Sequence, residues 1–256
     1  MYTFIINPNA RTGLGLKIWN ELEGILKEHN AVYRAFLTRY KSHATAITRK
    51  ILSEDKRCTL VIVGGDGTIN EVINGIADPD CVTLAYIPIG SSNDFARGMK
   101  LSSDPRTALL HILAPSRYTH LSIGTAAYGP YSRRFAVSSG FGFDAEVCCR
   151  IAFSRLKLLL NKLSLGKFSY VGVAVSSLLL QTPKKMSVTL DGRKTVTFAK
   201  VYFAAAMNQK YEGGGFMFCP KADPADDHLD IIVAEGLPKL KILCLLPTAF
   251  FGKHTA

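Results

Sequence analysis

Through the first half of the chain, short apolar runs alternate with amphipathic stretches. The segment "YTFIINP" (2–8) reads as a buried strand ended by an Asn-Pro turn. In 16–30, Ile18, Leu22, Ile25 and Leu26 share one face at helical spacing. A strand over 31–38, a helix over 43–55 and a strand over 59–64 follow. A helix over 69–77, a strand over 83–90 and a helix over 104–115 complete the series. Asp104 is placed to cap the last of these, with Pro105 at its first turn. Apolar strands that alternate with helices predict a parallel, doubly wound α/β sheet.

The pattern then changes. Residues 119–143 read as a β-hairpin through Tyr128-Gly129-Pro130, and 186–208 as another that turns at Asp191-Gly192. A strand over 228–236 and an amphipathic helix over 237–254 follow. Between the hairpins, 144–181 is more helical in pattern and rich in Leu, Lys and Arg. The expected organisation is an α/β domain over 1–120 and a β-rich, sandwich-like domain over 121–256.

Composition narrows the class. The chain has 256 residues, 48% hydrophobic, enough for one large core or two moderate ones. The longest uncharged apolar run near the middle, 170–180, is too short to cross a bilayer as a helix. The N-terminus lacks the basic start and cleavage site of a signal peptide. Six cysteines form no C-x-x-C pair, so reduced thiols in the cytoplasm are expected. Cys148-Cys149 reads as buried and inert, and His43 and His254 as structural.

The net charge is +11, with 14 Lys+Arg against 11 Asp+Glu in 1–128 and 17 against 9 in 129–256. Such an excess attracts anionic membranes, nucleic acid or phosphorylated ligands. Its cations are not interleaved with stacking aromatics, which argues against nucleic acid. In 150–168, Arg150, Arg155, Lys157, Lys162 and Lys167 alternate with leucines. That stretch can lie on an anionic membrane surface or be an ordinary surface helix.

The candidate chemistry sits where the strands end. The third strand runs into Gly64-Gly65-Asp66-Gly67-Thr68. Glycines there let the chain turn sharply and let a ligand approach the amides, and a helix N-terminus favours phosphate. Asp66 would repel a bare phosphate. It suits a site where magnesium intervenes or where a hydroxyl loses its proton; a capping aspartate in a plain turn is the alternative. Asn7 to Gly15 after the first strand, Thr38 after the second, and Gly90 to Asp94 after the fourth add glycines, hydroxyls and Arg11. Parallel strands bring all four loops to one sheet edge, where open α/β sheets bind ligands. The spacing matches neither the P-loop nor the dinucleotide fingerprint.

Six segments resemble the diacylglycerol-kinase catalytic family, which includes bacterial lipid kinases and sphingosine kinases. They are "NPNARTGLG" (7–15), "GGDGTINEVINGI" (64–76), "PIGSSNDFARGM" (88–99), "RRFAVSSGFGFDAEV" (133–147), "NQKYEGGGFMFCP" (208–220) and "ADPADDHLDIIVAEGLPKLKIL" (222–243). The GGDG loop is similar to that of NAD kinases and phosphofructokinases. The resemblance implies an N-terminal sheet of that type, a β-sandwich-like second domain, and ATP-dependent phosphorylation of a lipid hydroxyl in a cleft between them. It places Asn7, Asn9, Ala10, Arg11, Thr38, Gly64, Gly65, Asp66, Gly67, Thr68, Asn70 and Ser91 at the nucleotide, with Asp94 lining the same cleft. Asp66 is the implied catalytic residue. ATP and Mg2+ are the implied cofactors, with a structural magnesium held by the Asp226 carboxylate and the carbonyls of Asp223 and His228.

Three departures stand out against the family pattern. Asp227 replaces a glycine, which puts a tight turn in question. Ala136 and Val137 stand where an asparagine is common. Family members continue past Lys253-His254 into a returning segment that carries a proposed general base. A lipid at the inner face of the membrane is the expected partner, diacylglycerol first, with a sphingoid base or phosphatidylglycerol as alternatives. A nucleotide-binding member without turnover, an NAD kinase and a homodimer stay open.

Overall fold

Four parallel strands carry the N-terminal half: β1 (Tyr2–Ile6), β2 (Tyr33–Leu37), β3 (Cys58–Gly64) and β4 (Val82–Pro88), in the order β2-β1-β3-β4. The computed structural model describes residues 1–143, 145–147, 149 and 176–254. The helical reading of 144–181 and the basic stretch 150–168 lie wholly or largely outside the described residues.

Strand alternation sends side chains to two faces. Phe4, Ile6, Val61, Val63 and Ile87 pack against Trp19, Leu22, Ile25 and Leu26 of α2 (Gly15–Glu28) and Leu109 of α6 (Pro105–Leu113). Ile5, Leu60, Ile62 and Tyr86 pack against Ile47 and Ile51 of α3 (His43–Glu54) and Ile69, Val72 and Ile73 of α4 (Asp66–Ile73). Each such fully buried side chain contributes about 1.5–3 kcal/mol relative to exposure. The sheet is thus covered on both faces, which leaves its carboxyl edge for the loops.

Two short helices appear where the sequence reads as loop: α1 (Ala10–Gly13) and α5 (Asp94–Gly98). α4 begins at Asp66, earlier than the apolar period shows. Gly65 is its extended N-cap, and its carbonyl accepts from Thr68 N (2.9 Å) and Ile69 N (3.2 Å). Residues 66–68 are therefore the first helical turn, not a loop ahead of it. Asp104 caps α6 as expected, accepting from Thr107 N at 2.8 Å.

The chain divides into two compact units. One is Met1–Val137 with Asp223–His228; the other is Ser138–Ala222 with Leu229–Ala256. The break thus falls at Val137, after the first hairpin and not near residue 120. That hairpin, β5 (Gly124–Tyr128) with β6 (Tyr131–Phe135), belongs to the first unit because α4 grips it. Asn74 Nδ2 donates to Arg134 O (2.9 Å) and Asn74 Oδ1 accepts from Arg134 N (2.9 Å).

The second unit is β-rich. β9 (Lys194–Met207) pairs antiparallel with β7 (Ser138–Gly142), β8 (Lys184–Leu190) and β10 (Asp230–Glu235). The β8–β9 hairpin turns at Asp191 (φ 50°) and Gly192 (φ 65°), the paired positive φ of a tight hairpin. Phe143, Leu178, Tyr202 and Phe203 pack with Ile242 of α7 (Lys239–Ala249).

Candidate functional site

The sheet extends its hydrogen bonds past the strand ends, which fixes where each loop departs. Asn7 N donates to Val63 O (2.9 Å), Thr38 N to Ile6 O (2.8 Å) and Ile89 N to Gly64 O (2.8 Å). Asn7 Oδ1 then accepts from Asn9 N (3.0 Å), and Asn7 Nδ2 donates to Thr68 Oγ1 (3.2 Å). The loops after β1 and β3 are thereby tied together.

The loops after β3 and β4 meet at glycines. A Cβ built on Gly90 would lie 2.6 Å from Gly65 Cα, and one on Gly65 would lie 3.0 Å from Gly90 Cα. These two glycines therefore let the two loops pack directly on each other. Asn93, at φ 53°, accepts from Gly90 N (2.8 Å) and donates to Gly90 O (3.1 Å).

A cavity of about 410 Å³ opens among these loops. Nine predicted residues line it: Asn7, Asn9, Ala10, Arg11, Thr38, Gly65, Gly67, Thr68 and Ser91. Arg39, Tyr40, Lys41, Glu71 and Gly90 complete it. Arg11, Arg39 and Lys41 give it a positive lining. Glu71 is the one carboxylate among the described lining residues, and it is engaged: its two oxygens accept from Ser42 N (2.8 Å) and Ala44 N (3.2 Å). A cavity with glycines, amides and three cations suits a polyphosphate. A larger cavity of about 1190 Å³ runs beside β4 and holds none of the predicted site residues.

Four predicted nucleotide residues stand back from the lining. Gly64 is the last residue of β3. Asn70 turns to the hairpin, donating to Arg134 O (3.1 Å) and accepting from Arg133 Nη2 (2.7 Å). Asp94 is buried and pairs with Arg97 at 3.2 Å. Asp66 accepts from Asp94 N through Oδ2 and from Phe95 N through Oδ1, both at 3.1 Å. Its carboxylate thus caps α5, the helix of the neighbouring loop. Each oxygen keeps a lone pair for a metal ion or a proton, so Asp66 fits a magnesium ion that accompanies ATP.

The Asp223–His228 turn is built around the residue that departs from the family pattern. Asp227 adopts φ 60°, so the turn closes without glycine. Asp227 Oδ1 accepts from Ser122 Oγ (2.7 Å), and this bond, followed by the one from His120, holds its carboxyl below the ordinary value. Asp226 Oδ1 accepts from His228 N (2.9 Å), and Asp223 O from Asp226 N (3.3 Å). Among the described residues no three His, Cys, Asp or Glu side chains converge as metal ligands. The turn thus fits only a water-rich magnesium held by one carboxylate and backbone carbonyls.

The Diacylglycerol kinase catalytic domain model matches residues 1–125, and the YegS C-terminal NAD kinase beta sandwich-like domain model matches 137–256. The chain is 33% identical over 257 residues to "Putative lipid kinase YtlR" of Bacillus subtilis, covering 98% of this chain and 83% of that one. The chain belongs to the diacylglycerol kinase catalytic-domain family. Within that family, a diacylglycerol kinase of Staphylococcus carnosus is 25% identical over 98% of this chain and 78% of its own. One of Mycobacterium tuberculosis is 28% identical over 76% of this chain, a match that spans 60% of that protein. A diacylglycerol kinase structure from Bacillus anthracis shares the fold, with a TM-score of 0.70 at 23% identity, covering 98% of this chain and 77% of that one.

Family motifs did not single out Arg39, Tyr40, Lys41 or Glu71. Position after β2 is the one sequence signal for the first three. Glu71 acts on a loop 27–29 residues before it in the chain, so local pattern carries no trace of its role.

Proposed function

We propose that this chain transfers the γ-phosphate of ATP to a lipid hydroxyl, with diacylglycerol as substrate and phosphatidic acid as product. The observation that carries the reading is the cationic, glycine-lined cavity at the sheet edge in a chain of this kinase family. Phosphoryl transfer needs positioning and charge neutralisation more than covalent help. The amides of Gly65, Asp66, Gly67 and Ser91 orient the phosphates. Arg11, Arg39 and Lys41 offset their charge. Asp66 holds the α5 loop against the α4 loop, and its remaining lone pairs face metal or the proton of the attacking hydroxyl. Asp66 would hold a magnesium ion brought with ATP, which would supply further neutralisation of the phosphate charge.

The acceptor is a lipid presented at the inner face of the membrane. No helix among the described residues is long and apolar enough to cross a bilayer, and a net charge of +11 favours an anionic surface.

The test is transfer of label from γ-labelled ATP in mixed micelles. Acceptors are diacylglycerol, monoacylglycerol, sphingosine, phosphatidylglycerol, undecaprenol and NAD. Labelled phosphatidic acid is expected, with Asp66→Ala inactive. Label on another lipid keeps the kinase and changes the substrate. Label on NAD alone, or undiminished turnover by Asp66→Ala, sinks the reading.

A further inference from the structure

One aromatic ring appears among the described residues that line the 410 Å³ cavity. It is Tyr40, and the residue is 64% exposed. One ring face rests on His43, with centroids 4.4 Å apart and planes 19° from parallel. The hydroxyls, glycines and cations around the rest of the cavity suit phosphate, and none of them offers a flat apolar surface.

The stack is held in place from several sides. Arg39 N donates to His43 Nδ1 (2.9 Å), which fixes the imidazole against the turn. His43 N donates to Tyr40 O (3.1 Å). Ser42, at φ 67°, and Ala44 donate to the Glu71 carboxylate, and Thr45 Oγ1 donates to Glu71 O (2.7 Å). An exposed tyrosine on a surface loop ordinarily has rotamer and backbone freedom to lose on binding. Here that freedom is largely spent before a ligand arrives, which favours binding.

We infer that Tyr40 is the base platform of the nucleotide: its outer ring face stacks on the purine, with His43 as the backing plane and Glu71 as the residue that positions the loop. The phosphates then run toward the glycine loops after β3 and β4. The inference rests on the nucleotide reading above and adds a residue that discriminates a nucleotide from a bare polyphosphate. Stacking recognises a π-face and does not read the base edge, so adenine and guanine nucleotides should bind alike at this contact.

Calorimetric titration of ATP and of inorganic tripolyphosphate, without lipid, tests it on the wild type, Tyr40→Ala and Tyr40→Phe. Tyr40→Ala should weaken ATP about tenfold, within the range of base–aromatic stacking, and leave tripolyphosphate unchanged. Tyr40→Phe should match the wild type. Unchanged ATP affinity in Tyr40→Ala overturns the inference. So does parallel loss of both ligands, or a wild type that binds ATP no better than tripolyphosphate. A chain that shows the expected pattern and transfers no phosphate to any lipid overturns the proposed reaction alone.

Discussion

Asp66 does two things with one carboxylate. It accepts from two amides of α5, and in the proposed reaction its remaining lone pairs take a metal ion or a proton. Asp66→Ala should therefore lose stability as well as turnover, by about 1–3 kcal/mol in urea unfolding. An active-site residue without a structural role would show no such shift. Gly90→Ala drives a Cβ onto Gly65 and should cost about 1–3 kcal/mol, with ATP affinity falling alongside. In sequence, Asp66 suits either a metal-assisted phosphate site or a helix cap. What it caps is hidden in the sequence, because the two amides lie 28 and 29 residues further on. Cysteine chemistry divides in the same residue-by-residue way. Burial first, then Asp230 and Glu212, push the Cys219 thiol up to about 12, while Cys244 is exposed. Iodoacetamide at pH 8 should label Cys244 in the native protein and spare Cys219, by peptide mass. Cys149, expected to be buried, is exposed; Cys148 lies outside the described residues.

Elements with a long apolar period were legible in the sequence. α2 and α3 differ from their expected bounds only at the ends, because Trp19, Leu22, Ile25 and Ile51 mark a face that must be buried. α1 and α5 were not legible. Each is too short for a period to show, and α5 is held by the Asp66 cap from another loop. The Asp191-Gly192 turn was legible because its chemistry is local. The α6 cap is local too, and it makes a pH prediction. Hydrogen bonds from the Thr107 amide and then its hydroxyl hold Asp104 below its ordinary value of 3.8. A lowered carboxyl pKa gives stability that is present above the ordinary value and lost as pH falls through the lowered one. Asp104→Ala should melt at a lower temperature than wild type at pH 7, and the gap should close at acid pH.

For the whole molecule, strand–helix alternation foretold that loops distant in sequence would share one sheet edge. It could not foretell which side chains would face the cavity, since Asn70 and Asp94 turn to other partners. The hairpin's membership of the first unit was equally hidden, because Asn74 and Arg134 are 60 residues apart. The charge makes its prediction at this scale. Cosedimentation with phosphatidylglycerol vesicles should exceed that with phosphatidylcholine vesicles and should fade with salt, as the screening length drops from about 10 Å at 0.1 M to about 3 Å at 1 M. Equal binding to both vesicles would remove charge from the account of membrane attachment.

The grip of Asn74 on Arg134 bears on whether the hairpin edge can pair with another molecule. A two-stranded ribbon has an outer edge whose unpaired amides and carbonyls can template a strand from another molecule. At Arg134 both groups are already taken by one carboxamide, with Asn70 as a second donor to the carbonyl. Asn74 therefore behaves as a third strand one residue long, closing the ribbon at that point to intermolecular pairing.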